Sequence, residues 1–180
     1  PDALPILKYP SLSGLKKFPE KNSVTLEQGE VNHVGSFVVG YIDDYHPVRT
    51  GREHGPSQRL LRFKTGDIGA VDFYAGKVLP YFRKGVTLCC APSSAKNEWG
   101  KGVELLLGKL SRSIPCDSFT DMICRTTSTK KRSLGGNRDI SINLDTMKVI
   151  GTERCKDKDV VIVDDIVTSG GTLRACAELL

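Results

Sequence analysis

A chain of 180 residues, 39% of them hydrophobic, has the length of one domain with a sizeable core and the composition of an ordinary α/β protein. No stretch approaches the length of a membrane span, and the opening Pro1-Asp2-Ala3-Leu4-Pro5 lacks the basic-then-apolar order of a secretion signal, so a cytoplasmic protein with no membrane partner is expected. The net charge of +5 suits either nucleic acid or small polyphosphates as partners. None of the six cysteines forms a C-x-x-C pair, so reduced thiols are expected, with Cys89, Cys90 and Cys176 as small core residues. His33, His46 and His54 lack metal-ligand spacing and receive no role. A first residue that is Pro rather than Met is what an excised or processed chain would show.

Residues 1 to about 22 mix Pro, Gly, Lys and isolated hydrophobes without a period, which predicts an irregular arm. Val24 and Leu26 alternate with polar neighbours, and Ser36 to Ile42 is a second apolar run, so neighbouring strands at an edge are expected there. His46 to Pro56 reads as a loop. Residues 1–56 are therefore taken as an N-terminal arm with hood strands, and 57–180 as the core. Ile68, Val71, Ala75, Val78, Leu79 and Phe82 then recur at helical spacing, with Asp67 near the start and a break predicted near Leu79 because Pro80 follows.

Val86 to Cys90 reads as a buried strand and Ala91 to Asn97 as the loop at its carboxyl end. Val103, Leu106, Leu107 and Leu110 stripe the next helix, and Trp99 reads as packing or a loop lid. Met122-Ile123-Cys124 begins a strand expected to deliver Arg125 to a site. The stretch from Thr126 to Arg138 holds Lys130, Lys131, Arg132 and Arg138 without an acid or an aromatic among them, too polar for core and too long for a tight connection. It reads as an active-site lid that clamps a polyanionic small molecule, against the plainer reading of a solvated basic face.

The last segment carries the strongest signal. Val160-Val161-Ile162-Val163 predicts a parallel strand buried on both faces, and Thr168-Ser169-Gly170-Gly171-Thr172 cannot continue it. Convergent N–H groups and hydroxyls directly before a helix make a seat for phosphate. Asp164 and Asp165 would repel that phosphate, so they suit sugar hydroxyls or a metal beside it. In an open parallel sheet, ligands bind at the carboxyl ends of strands, so the Ala91 to Asn97 loop and the loop after Asp165 should share a crevice. Alternation of strands and helices predicts an α/β fold with a doubly wound parallel sheet.

The run from Val160 to Thr172 resembles the phosphoribosyl-pyrophosphate (PRPP) binding motif of type I phosphoribosyltransferases, with Ser169 where a second Thr is commoner. Receiver domains also end a strand in Asp-Asp, but near the domain start and without a Thr/Ser/Gly loop. Leu60-Leu61-Arg62-Phe63-Lys64 and Arg138-Asp139-Ile140-Ser141-Ile142-Asn143 resemble features of the ComF-like branch. The resemblance implies a Mg²⁺-dependent transferase of nucleotide metabolism that moves the phosphoribosyl group from PRPP to a nitrogen nucleophile. It implies that Thr168, Ser169, Gly170, Gly171 and Thr172 seat the 5′-phosphate and that Ser93, Ser94 and Lys96 hold pyrophosphate. Asp164 and Asp165 would hold the ribose hydroxyls and help place Mg²⁺, while Lys130, Lys131, Arg132 and Arg138 close over the site.

Two other readings stay open: a non-catalytic PRPP or nucleotide sensor, and a nucleic-acid-binding subunit or effector module of a larger assembly. The chain matches neither G-x-x-x-x-G-K-[ST] nor G-x-G-x-x-G nor G-x-S-x-G. Acceptor recognition is expected in the N-terminal strands and loops, where no transferable motif stands. The sequence stops within the helix that follows the motif, where the family continues into another strand, so a partner, a homo-oligomer or a missing tail is expected to cover that sheet edge.

Overall fold

The computed structural model describes residues 16–17, 40–42, 55–82, 84–129, 140–167 and 170–180. Two short strands, β1 (Lys16–Lys17) and β2 (Gly40–Tyr41), pair antiparallel. Only β2 falls within the strands expected of a hood, and the other residues of that expectation lie outside the described ones. The chain then forms α1 (Gly55–Lys64), a helix beginning inside the stretch that reads as a loop. Its α-helical state escapes a periodicity reading because Gly55 and Pro56 open it, although Pro is well suited to a first helical turn.

The second helix, α2 (Ile68–Val78), ends where Pro80 predicts, passing into a 3₁₀ turn at Leu79–Tyr81. Asp67 caps it, accepting the Ala70 N–H at 2.9 Å, and also accepts from Arg62 Nη2 at 3.0 and 3.1 Å. The Ala70 N–H and the Arg62 guanidinium hold the Asp67 carboxyl below its ordinary value of 3.8. A group depressed on folding stabilises above its unfolded pKa, and that contribution is lost as pH falls through the folded value. Asp67→Asn keeps a capping oxygen but not the charge. It should melt below wild type at neutral pH, and the gap should close as pH drops below about 4, where the wild-type carboxyl protonates too; a gap independent of pH would assign the effect to geometry alone.

Of the predicted helix face, Val71 and Ala75 are buried, whereas Ile68 in the first turn is 61% exposed. Tyr74 is buried on the same helix and meets Phe63 edge-on, with centroids 5.1 Å apart. This aromatic contact joins α1 to α2.

Strand β3 (Thr87–Cys90) is the centre of the sheet and is fully buried. It pairs in parallel on one side with β4 (Asp117–Phe119) and on the other with β7 (Val160–Val163), in register Thr87↔Val160 through Cys90↔Val163. Alternation along the strands sorts side chains between two cores. Leu88, Cys90, Val161 and Val163 face α1, α2 and α3 (Lys101–Ser113), whose Val103, Leu106, Leu107 and Leu110 are buried as their spacing predicts. Cys89, Val160 and Ile162 face α4 (Ile140–Thr146) and α5 (Gly171–Leu179), through Leu144, Leu173 and Cys176 among others. Helices thus cover both faces of a parallel sheet.

Two features depart from the sequence reading. The Val160–Val163 strand is only half-buried, because among the described residues it pairs with β3 alone, whereas β3 has a neighbour on each side. Strands β5 (Ile123–Arg125) and β6 (Met147–Val149) form a separate antiparallel pair instead of joining the parallel sheet. The cause is local: α4 ends at Thr146 and β6 begins at Met147, directly opposite Arg125, so no residues remain to carry the chain back to the start of β5. It must run back along that strand.

The thiols behave as core groups. Burial pushes Cys90 and Cys176 up to about 12 and raises Cys89 as well, which makes them poor nucleophiles.

Candidate functional site

Because β3 and β7 are parallel neighbours, the segments leaving their carboxyl ends start side by side, and the Ala91 N–H donates to the Val163 carbonyl at 2.9 Å. This brings together the loop from Ala91 to Asn97 and the acidic pair, as the crevice argument requires. Asp164 and Asp165 follow β7 directly and are half-buried. The Asp165 N–H donates to Asp164 Oδ1 at 2.8 Å, while Asp165 Oδ2 takes an ion pair from Lys64 Nζ at 3.0 Å. The charge of Asp164 also bears on the thiols on either side of it, contributing after burial to the raised values of Cys90 on β3 and Cys176 on α5.

Beyond the pair, Gly170 adopts a left-handed conformation at φ 74°, ψ −2° and precedes the first residue of α5. That conformation costs glycine little and turns the chain sharply into the helix. No side chain among the described residues caps α5, so its first-turn N–H groups take no side-chain acceptor there and the positive end of the helix is uncovered by any described cap. Gly170, Gly171 and Thr172 of the expected phosphate seat stand here; Thr168 and Ser169 lie outside the described residues.

The loop after β3 is internally bonded. The Ala95 N–H donates to Ser93 Oγ at 3.0 Å, the Ser93 N–H to the Glu98 carbonyl at 2.8 Å, and Asn97 sits left-handed at φ 53°. It is also tied to the segment after β5. The Lys96 N–H donates to Ser128 Oγ at 2.9 Å, the Thr129 N–H to the Ser94 carbonyl at 2.8 Å, and the Asn97 N–H to the Arg125 carbonyl at 3.0 Å. Ser93 and Ser94 are half-buried and Lys96 is exposed. The first residues of the expected lid stretch are therefore fastened to the expected pyrophosphate loop. Lys130, Lys131, Arg132 and Arg138 themselves lie outside the described residues.

Arg125 has a different place from the one its neighbours in sequence suggest. It is 3% exposed, and its guanidinium donates to the Ser93 carbonyl at 2.7 Å, to Thr146 Oγ1 and to Asn143 Oδ1 at 3.2 Å. Asn143 in turn donates through Nδ2 to the Gly171 carbonyl at 3.1 Å. A buried chain of polar contacts thus runs from the loop after β3, through β5 and α4, to the first residue of α5. Sequence reasoning singled out both Arg125 and Asn143 but missed that they bond to each other. The signal was a lone Arg closing an apolar strand, where a side chain either escapes to water or finds several acceptors. In the sequence Lys64 belongs only to its hydrophobic-aromatic stretch, and nothing local joins it to Asp165.

Among the described residues no group of three or more His, Cys, Asp or Glu side chains could cage a metal. Asp164 suits a Mg²⁺ ion that keeps several waters and takes its other ligands from phosphate oxygens, while Asp165 already carries the Lys64 ammonium. Trp99 packs against the core, in line with the packing role expected of it, and its indole N–H donates to the Ile123 carbonyl at 2.8 Å, which ties the ring to β5.

Neither a curated protein nor a solved structure matches the chain significantly. Residues 101–180 match the family model of the phosphoribosyl transferase domain. The match begins at the first residue of α3, leaving Lys64 and the Ser93 to Lys96 loop upstream of it. From α3 through the acidic pair to α5, the chain is thus similar to a phosphoribosyl transferase domain.

Proposed function

We propose that the chain binds PRPP with Mg²⁺ and transfers its phosphoribosyl group to a nitrogen nucleophile, releasing pyrophosphate, as a member of the ComF-like branch. The carrying observation is the convergence, at the carboxyl ends of β7 and β3, of an acidic pair, a left-handed glycine opening α5, and a hydroxyl-bearing loop. Each part suits one part of the substrate. The start of α5 would seat the 5′-phosphate, the acidic pair would accept from the ribose hydroxyls, and Ser93, Ser94 and Lys96 would hold pyrophosphate.

As the bond to pyrophosphate breaks, positive charge grows on the sugar and negative charge on the leaving oxygens. Only groups aimed at those changing charges accelerate the step. Bound Mg²⁺ would neutralise pyrophosphate. The acidic pair lies on the sugar side, where it stabilises the growing positive charge, and Lys96 with the basic residues 130–138 would meet the departing anion and exclude water.

The test is calorimetry with PRPP and Mg²⁺ on wild type and on the Asp164→Asn/Asp165→Asn double variant, followed by a pyrophosphate-release screen across nucleobases. Hydrogen bonds to a charged acceptor contribute about 1.5–3 kcal/mol each, so the double variant should bind roughly tenfold to a hundredfold more weakly or worse. Equal PRPP affinity in the two proteins, or none in wild type, would sink the reading. Binding without pyrophosphate release for any nitrogen acceptor would make the chain a sensor of PRPP.

A further inference from the structure

The ion pair between Lys64 and Asp165 joins the last turn of α1 to the end of β7, and three packing features put the lysine there. An ideal Cβ at Gly102 would lie 2.0 Å from the Phe63 carbonyl oxygen, so the first turn of α3 rests directly on the main chain of α1. Gly66, left-handed at φ +82°, turns the chain away immediately after α1, with the Lys101 stem 2.8 Å from where its Cβ would be. Phe63, the neighbour of Lys64, is buried against Tyr74. The lysine backbone is thereby held on both sides, and its side chain, 40% exposed, reaches a carboxylate that is 18% exposed. Gly100 lies beside the same oxygen, since a Cβ there would stand at ordinary contact distance, 3.6 Å, from Asp165 Oδ2.

Asp165 thus carries an ammonium 3.0 Å from one of its oxygens, and its own N–H donates to Asp164 Oδ1. We propose that Lys64 is a positioning residue that reserves Asp165 for the hydroxyls of a bound sugar and keeps a divalent cation from binding that carboxylate directly. A Mg²⁺ ion bonded to the same carboxylate at about 2.1 Å would stand beside the ammonium, and two positive charges so close in a partly desolvated place repel with little screening. Hydroxyl donors meet no such penalty, because a carboxylate offers about four lone-pair sites and the ammonium takes one side only. The sugar in this proposal rests on the phosphoribosyl reading above; the exclusion of the cation does not.

The experiment has two arms, run on wild type, Lys64→Met, Lys64→Arg and Lys64→Met/Asp165→Asn. In the first, Mn²⁺ is titrated into the protein alone and free Mn²⁺ is counted by electron paramagnetic resonance. Lys64→Met should bind Mn²⁺ about fivefold more tightly or better, Lys64→Arg should match wild type, and the added Asp165→Asn should remove the gain. In the second, PRPP is titrated at saturating Mg²⁺, and Lys64→Met should bind it about tenfold more weakly. Unchanged Mn²⁺ affinity in folded Lys64→Met, a gain that survives Asp165→Asn, or unchanged PRPP affinity would each overturn the proposal. Wild type that binds no PRPP would refute the phosphoribosyl reading, and the Mn²⁺ arm alone would then decide what Lys64 does. Should Lys64→Met not fold, Lys64→Gln removes the charge while keeping a polar side chain and takes its place.

Discussion

Replacing Gly102 by alanine should destabilise the protein by about 3 kcal/mol or more, a large share of the 5–15 kcal/mol that typically separates folded from unfolded chains. The added Cβ would sit 2.0 Å from the Phe63 carbonyl oxygen and 2.7 Å from its carbon. Both are main-chain atoms of a helix, so neither can swing aside as the end of a long side chain could. Relief requires α1 and α3 to separate, which uncovers Phe63, Val103 and Leu107 together. Gly76 supplies the control: nothing lies within 4 Å of its Cβ position, in the interior of α2. Gly76→Ala should therefore stabilise by about 0.5–1 kcal/mol through the lower entropy of the unfolded chain. Urea midpoints for the two variants should move in opposite directions, and a mild effect at Gly102 would show that the helices yield more easily than their contact implies.

The second large effect is expected at Arg125. Arg125→Met keeps much of the volume but leaves the Ser93 carbonyl and the Asn143 amide oxygen without their buried donor. Each lost charge-assisted bond costs about 1.5–3 kcal/mol, so a total of about 3 kcal/mol or more is expected, with the urea midpoint falling accordingly. Arg125→Lys should rescue only part, because an ammonium cannot reach three acceptors spread around a planar fork. The coupling is as informative as the size. In a double-mutant cycle, Asn143→Leu should cost much less in the Arg125→Met background than in wild type. Additive losses would mean that the contacts from Ser93 to Gly171 act separately.

These two sites show what local sequence can and cannot carry. The helix from Ile68 was legible because an apolar period, a capping Asp67 and a stopping Pro80 all act within a few residues of one another. The strand at Val160, the turn after it and the helix from Gly171 were legible for the same reason, and the phosphate-seat reading follows from that order alone. The antiparallel return of β6 was not, since it depends on α4 leaving no spare residues before Met147. Nor was the pairing of Lys64 with Asp165, or the seating of Phe63 on Gly102, because each is set by how two distant elements dock. A glycine that permits close approach looks in sequence like any other glycine. Arg125 is legible only in part: the strand brings it to the loop at Ser93, as expected, but that its side chain turns inward to Ser93, Asn143 and Thr146 depends on how distant elements dock.

The register of β3 with β7 also bears on how the molecule assembles. Thr87 to Cys90 meet Val160 to Val163 only after the chain between them has closed a long loop, whereas α1, α2, α3 and β3 make their contacts over shorter separations. Loop closure must be met before such distant pairing is rewarded, so the helical layer on one side of the sheet is expected to form before β7 docks. The two strand ends that open the crevice are brought side by side by that pairing. On that order the site is completed late, and slowing the docking of β7 should delay the appearance of ligand binding more than the appearance of helix, as stopped-flow binding and circular dichroism would show.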